Sequence, residues 1–222
     1  MKWDPEIAKN DERFKNWDLA PKGKADYAFI LDGIANLKDS GIMAVILPHG
    51  VLFRGTREGK IRRELIDANY LDAVIGLPEK LFDVTGIPVC IMIFKKNRKT
   101  DDIFFIDASN EFEKGKNQNK LTDEHIQKIF KTYQERKTVD KYASVVSMDE
   151  IKENDYNLNI PRYVDTFEEE SPVDVKKLRD NYKKLDKQEK ELVHEINGMM
   201  DDLVATTPES QETLDTLKDI LK

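Results

Sequence analysis

Three stretches decide the fold: Gly41-Ile-Met-Ala-Val-Ile-Leu-Pro-His-Gly50, Tyr70-Leu-Asp-Ala-Val-Ile-Gly-Leu-Pro-Glu-Lys-Leu-Phe82 and Gly86-Ile-Pro-Val-Cys-Ile-Met-Ile-Phe-Lys-Lys96. Each contains an apolar run too short for a helix and bounded by Gly or Pro, the pattern of a buried strand. Residues 42–47 read as a buried parallel strand, residues 71–77 as a second strand and residues 89–94 as a third. The loop of about ten residues between the second and third is too short for a helical crossover, so these two are expected to be antiparallel neighbours. Residues 103–106 are read as one more edge strand. Pro48, Pro78 and Phe82 fall at or just beyond strand ends, and ligands of open α/β sheets bind outside the carboxyl ends of the strands.

Helical periodicity surrounds these runs. Tyr27, Ile30, Leu31, Ile34 and Leu37 recur at spacings of three and four and predict a helix over 25–38. A second is predicted over 56–69, with Ile61, Leu65 and Ile66 inward. A third runs over 123–136 behind a Thr122 cap, and Val146-Ser-Met-Asp-Glu-Ile-Lys begins a short one in the same manner. Residues 1–24 read as irregular chain anchored by Trp3, Phe14, Trp17 and Leu19, and residues 110–120 as a polar loop. Beyond an acidic run and Ser171-Pro172 the pattern changes. Val175, Leu178, Tyr182, Leu185, Leu192, Ile196, Met199 and Leu203 form an a/d heptad stripe, and a short helix with Leu214, Leu217, Ile220 and Leu221 follows. The predicted organisation is a domain over 1–165 and a helical extension over 166–222.

The 222 residues suffice for one domain with an appendage, and charged residues at 36% are high against 39% hydrophobic. The net charge of −7 sits mostly in the extension: residues 168–222 carry −6 and the remainder −1. An acidic extension is not expected to lie along phosphates, whereas the near-neutral front part has room for a basic face. Cys90 is the only cysteine and sits within an apolar run, which predicts a buried, inert thiol. No apolar run approaches the roughly 18 residues of a membrane span, and no secretory signal is visible at Met1. A soluble cytoplasmic protein is expected. His49, His125 and His194 lie too far apart for a zinc site.

Several residues could carry chemistry. Phe82 either covers the end of the sheet or offers a stacking face to a ligand. Pro48, His49, Gly50 and Pro78 are expected to wall a pocket at the strand ends. Arg54, Arg57, Lys60, Arg62 and Arg63 form either a solvated helix face paired with Glu58 and Glu64 or a set of phosphate contacts. The heptad stripe either folds back on the last helix or packs against another chain, with Leu185, Leu192, Ile196, Met199 and Leu203 at the interface.

The order of Asn10-Asp-Glu-Arg-Phe14, Lys24-Ala-Asp-Tyr-Ala-Phe-Ile30, Leu77-Pro-Glu-Lys-Leu-Phe82, Thr85-Gly-Ile-Pro-Val-Cys90 and Tyr156-Asn-Leu-Asn-Ile-Pro-Arg-Tyr163 resembles the modification (M) subunit of type I restriction–modification systems, an adenine-specific DNA methyltransferase. The resemblance implies the second half of a methyltransferase-like, Rossmann-type sheet ending in an antiparallel strand pair, followed by a helical or coiled-coil extension. It also implies an intact enzyme that moves a methyl group from S-adenosylmethionine to adenine in double-stranded DNA, with a specificity (S) subunit and a restriction (R) subunit as partners.

Two elements of that chemistry are absent. The eight prolines are never adjacent, so no Asn-Pro-Pro clamp for the amine exists, and no two glycines are spaced Gly-x-Gly. Lys2-Trp3 resembles the pair that follows the clamp in the family. The expectation is a fragment or truncated subunit that retains the base-binding side, with Phe82 stacking on a flipped adenine. It would be inactive alone and hold no cofactor tightly. A non-catalytic module that binds the specificity subunit is the alternative, and an unrelated α/β enzyme is a weaker third.

Overall fold

The computed structural model describes residues 3–83, 85–166 and 174–220. Lys2, Pro172 and the rest of the predicted domain boundary over 167–173, and Leu221, lie outside them. The chain divides into two compact units, Met1–Phe167 and Glu168–Lys222.

The first unit contains, in chain order, α1 (Pro5–Ala8), α2 (Asp26–Asn36), β1 (Ile42–Pro48), α3 (Thr56–Asp67), β2 (Leu71–Gly76), β3 (Val89–Lys95), β4 (Ile103–Asp107), the two-residue strands β5 (Glu113–Lys114) and β6 (Asn119–Lys120), α4 (Asp123–Glu135), β7 (Ala143–Val146) and α5 (Met148–Glu153). The second holds α6 (Val175–Asp201) and α7 (Pro208–Ile220). No described helix is long and apolar enough to cross a membrane.

Five strands form a mixed sheet in the order β1-β3-β2-β4-β7. Strand β3 runs antiparallel to both β1 and β2, as expected for β2, and β2 and β4 form the one directly bonded parallel pair among the described strands. Alternation along each strand divides the core into two layers. Leu47, Val74, Cys90, Met92, Phe94, Phe105 and Val146 face a large layer with Tyr27, Ile30, Leu31, Ile61, Leu65 and Ile66 from α2 and α3. Ala73, Ile75, Ile93, Phe104, Ile106 and Ala143 face a smaller layer with Ile129 of α4. Burial pushes the Cys90 thiol up to about 12, in keeping with an inert group.

Three expectations are corrected. Residues 42–47 are not a buried parallel strand. They form an edge strand bonded antiparallel to β3, with Ile42 63% and Ile46 52% exposed. An apolar run reads the same whether or not a layer covers its second face, and over β1 no described element supplies that layer. Residues 103–106 are interior, because β7, which the pattern of Ala-Ser-Val-Val did not reveal, pairs outside them. The polar loop over 110–120 contains the β5–β6 hairpin.

A charge cluster fixes the amino end of the sheet. β2 bulges between Leu71 and Ala73, and the extra residue, Asp72, is 4% exposed. Its carboxylate lies 2.7 Å from Lys95 Nζ and 3.2 Å from both Arg98 and Arg136, and it accepts a 2.7 Å hydrogen bond from the Tyr133 hydroxyl. Asp102 also pairs with Arg98 and Arg136. Burial opposes ionisation of Asp72, but the hydrogen bonds from Lys95 and Tyr133 and the charge of Arg136 outweigh it and hold the carboxyl below its ordinary range.

In the second unit, the Asp174 side chain caps α6. Met200 of α6 and Leu214 of α7 are buried, and Lys218 pairs with Asp201 at 2.5 Å. Met200 is not a residue of the heptad stripe, and the stripe itself is open, with Leu185 64%, Leu192 57% and Met199 69% exposed.

Asp72→Asn leaves three cations without their shared carboxylate and is expected to cost about 3–5 kcal/mol at neutral pH. Because the folded pKa is lowered, the native stabilisation is full above the unfolded value of about 3.9 and is lost as pH falls through the folded value. Urea unfolding between pH 7 and pH 3 should show native and variant curves apart at pH 7 and converging in acid.

Candidate functional site

Because β3 lies between β1 and β2 and opposes both, β1 and β2 point the same way, and their carboxyl ends share one edge with the start of β3. Two loops leave that edge. The first is a tight turn over His49–Leu52, where Pro48 closes the strand and the buried Val51 and Leu52 pull the chain back onto the core. The second carries Pro78 and Phe82. Both close on one acceptor: the Val89 carbonyl takes a 2.9 Å hydrogen bond from the Leu77 amide and lies 3.0 Å from His49 Nε2. The expected wall residues Pro48, His49, Gly50 and Pro78 therefore lie at one sheet edge. His49 is a clamp between loops, donating through Nε2. A side chain at Gly50 would meet the Arg54 guanidinium, since an added Cβ would sit 2.2 Å from it.

Phe82 is 40% exposed at the tip of the second loop, where it forms an isolated bridge with Thr85. The β5–β6 hairpin braces this loop. The Asn119 amide donates to the Lys80 carbonyl at 2.9 Å, the Asn119 side chain to the Glu79 carbonyl at 3.0 Å and the Gln118 side chain to the Leu81 carbonyl at 3.3 Å. Sequence reasoning missed Gln118 and Asn119. The only signal they gave was an amide pair in a polar loop, and its partners lie about forty residues away along the chain. Phe82 also lines an apolar groove of about 860 Å³ together with Leu77, Leu81, Ile91, Ile46 and Phe130.

The five basic candidates separate. Arg62 is 4% exposed, and its guanidinium donates to the carbonyls of Tyr156, Val51 and Arg54 at 2.7, 3.1 and 2.9 Å. It is a core staple and not a surface contact for phosphate. Arg54 is held by Asp26 at 2.5 Å and Glu58 at 2.6 Å, so its charge is already met. Arg57, Lys60 and Arg63 remain exposed. Lys60 stands 3.7 Å from Asp18, and Arg63 stacks over Tyr156 at 4.6 Å. Lys60 and Arg63 line a polar pocket of about 450 Å³ at the start of α3, together with Asn154, Asn157 and Arg162. Arg162 was not among the sequence candidates, because it enters from a segment about a hundred residues further along the chain.

The sheet thus carries an aromatic loop at its carboxyl edge and exposed basic groups at the start of α3, and the comparisons with known proteins define the family. Residues 1–172 match the N-6 DNA Methylase family, and the chain belongs to it. Its relatives are type I restriction enzyme methylase subunits. The MpnII subunit of Mycoplasma pneumoniae is 38% identical over 87% of this chain and 36% of its own length. The MjaVII subunit of Methanocaldococcus jannaschii is 34% identical over 92% of this chain and 36% of its own length. Among solved structures, the type I restriction-modification methyltransferase subunit from Streptococcus thermophilus is 55% identical, with a TM-score of 0.73 over 75% of this chain and 36% of that one. The chain thus spans about a third of the length of the relatives it matches.

The start of α3 carries backbone strain beside the basic residues. Thr56 has φ 55°, a left-handed conformation that a β-branched side chain resists by about 1–2 kcal/mol. Thr56→Gly is expected to raise stability by about 1 kcal/mol, the conformational relief being partly offset by glycine's greater freedom when unfolded. Chemical denaturation of the two proteins checks the sign.

Proposed function

We propose that this chain is the base-binding part of a type I modification subunit, which when complete transfers a methyl group from S-adenosylmethionine to the exocyclic amine of adenine in DNA. The observation that carries the reading is the convergence of the Pro48–Gly50 and Pro78–Phe82 loops on the Val89 carbonyl. It leaves a half-exposed aromatic ring at the carboxyl edge of the sheet. An adenine turned out of the duplex would stack on Phe82. The braces from Gln118 and Asn119 would hold that ring in place, and Arg57, Lys60, Arg63 and Arg162 would meet backbone phosphates.

The residues present do not make a cradle for the methyl donor. No Gly-x-Gly turn follows a strand, and the large groove is lined mainly by aliphatic and aromatic groups. A ribose and an amino-acid end would require carboxylates and free backbone amides. The amine clamp is likewise absent from the sequence. The chain is therefore expected to methylate no DNA by itself.

Joined to a segment that supplies the Asn-Pro-Pro clamp and a methyl-donor site, the chain should give adenine methylation, and Phe82→Ala in that fusion should lower kcat/KM by about tenfold or more, since base stacking on an aromatic ring is worth about 1–3 kcal/mol. Turnover by the isolated chain, or full activity without the Phe82 ring, would refute the reading.

A second reading is favoured by the open stripe on α6: the chain as a non-catalytic module that binds the specificity subunit through its helices. Leu192→Asp with Ile196→Asp should abolish that association and leave the sheet unit folded. Pull-down and circular dichroism measure the two effects separately.

A further inference from the structure

The polar pocket at the start of α3 holds more positive charge than its ion pairs account for. Lys60, Arg62, Arg63 and Arg162 line it, against the two exposed carboxylates Glu153 and Asp155. Among the described residues, the ion pairs of this region join Arg54 to Asp26 and Glu58, and Lys60 to Asp18 at 3.7 Å; none involves the three arginines of the pocket. Arg62 gives its hydrogen bonds to the carbonyls of Tyr156, Val51 and Arg54. Arg162 donates to the Asn154 side-chain oxygen at 3.1 Å, and Arg63 lies over the Tyr156 ring. These partners are neutral. They orient the guanidiniums and leave the positive charge standing. For Arg62, 4% exposed, the result is a buried charge met by dipoles alone, whereas buried charges are ordinarily paired.

The cavity offers more than charge. Its volume of about 450 Å³ falls within the roughly 300–1,000 Å³ of small-molecule sites, so it has room for more than a phosphate group. Phe53, 49% exposed, stands in its wall and presents an aromatic ring. Gly55, Thr56 and Gly59 bring the start of α3 to the same wall. No side chain caps that helix, so its first amides, which have no partner inside the helix, add donors to those of the cations. The missing side chain at Gly59 sets the cavity close to the buried guanidinium: an added Cβ would lie 3.7 Å from Arg62 Nη2.

We infer that this pocket binds a nucleoside phosphate. The phosphate lies against Lys60, Arg63, Arg162 and the first amides of α3, and the base lies on the Phe53 ring. Arg62 sits beneath them and acts through its charge, not by contact. The inference deepens the DNA reading, which gives the same exposed cations to backbone phosphates, and rests on it where the nucleotide belongs to a strand. It adds a second base-stacking face, because Phe53 and Phe82 line different cavities. A free mononucleotide and an unpaired nucleotide of a strand carry the same chemistry.

Isothermal titration of the full chain with adenosine 5′-monophosphate tests the site. Saturable single-site binding is expected, about tenfold or more tighter than that of adenosine or of inorganic phosphate, since each lacks one half of the ligand. Phe53→Ala should weaken it about fivefold or more, the loss of a stacked base, and Arg63→Gln by a similar factor. Lys22→Gln, the same loss of charge at an exposed position elsewhere, should not weaken it. Binding should slow hydrogen exchange at the amides of residues 56–58. Circular dichroism checks that the variants fold, and if either does not, exchange at 56–58 in the native chain decides. A short 5′-phosphorylated single strand of deoxyadenylate identifies the source: tighter binding than the mononucleotide, in competition with it, marks a strand, and weaker binding marks a free nucleotide. Both results support the pocket.

No saturable binding of adenosine 5′-monophosphate, binding no tighter than that of inorganic phosphate, or binding indifferent to both Phe53→Ala and Arg63→Gln would each overturn the inference. Nucleotide binding here, with full activity of the fused chain lacking the Phe82 ring, would sink the Phe82 reading and keep this site. Methylation that needs the Phe82 ring, with no nucleotide bound here, would sink this site alone.

Discussion

Strand β3 is hydrogen-bonded along its length to β1 on one side and β2 on the other, antiparallel to both. Much of the first unit follows from this pairing. With β3 reversed between them, β1 and β2 are parallel without touching, and the connection between them must cross over, which α3 does. The same geometry gathers the end of β1, the end of β2 and the start of β3 at one edge. The Val89 carbonyl, first in β3, becomes the common acceptor for both loops. A hydrogen bond of this kind contributes only about 0.5–1.5 kcal/mol, so its weight lies in position rather than in stability: it sets where Pro78 and Phe82 stand relative to His49.

The two ends of the sheet are built from different materials. At the amino end, three cations and two carboxylates from β2, β3, the β3–β4 loop and α4 interlock around Asp72. At the carboxyl end the bonds are neutral, and exposed apolar groups remain. A buried ionic cluster fixes geometry more reliably than it adds stability, whereas an open apolar surface is what a binding edge requires.

The elements with strong periodicity were legible in sequence. The helices predicted over 25–38, 56–69 and 123–136 appear as α2, α3 and α4 with ends moved by one or two residues, and Thr122 caps α4 as expected. The antiparallel β2–β3 pair was legible because its connection is too short for anything else. What stayed hidden depends on layers that no local pattern reports. The exposure of β1 follows from a missing cover, and the interior place of β4 from the short strand β7. Both sequence readings of Arg62 place it on the surface, although Glu58, Arg62, Leu65 and Ile66 share one helix face, and that spacing is the signal for its place in the core. The placement of Pro48 and Pro78 at or just beyond strand ends was legible from the apolar runs they close. The braces from Gln118 and Asn119 were not, because their partners are remote in sequence.

Helix α4 is held unevenly. Its last turn is anchored by the Tyr133 hydroxyl and, just beyond the helix, the Arg136 guanidinium, both on the buried Asp72. Its first turns rely on the Thr122 cap and on the exposed Lys128–Glu111 pair, and pairs of that kind contribute little. The helix is therefore a lever with its fulcrum at Arg136. A swing about that point would carry the first turn furthest and move Ile126 more than Ile129 or Phe130, so the groove would open at its mouth while the base of the sheet kept its shape.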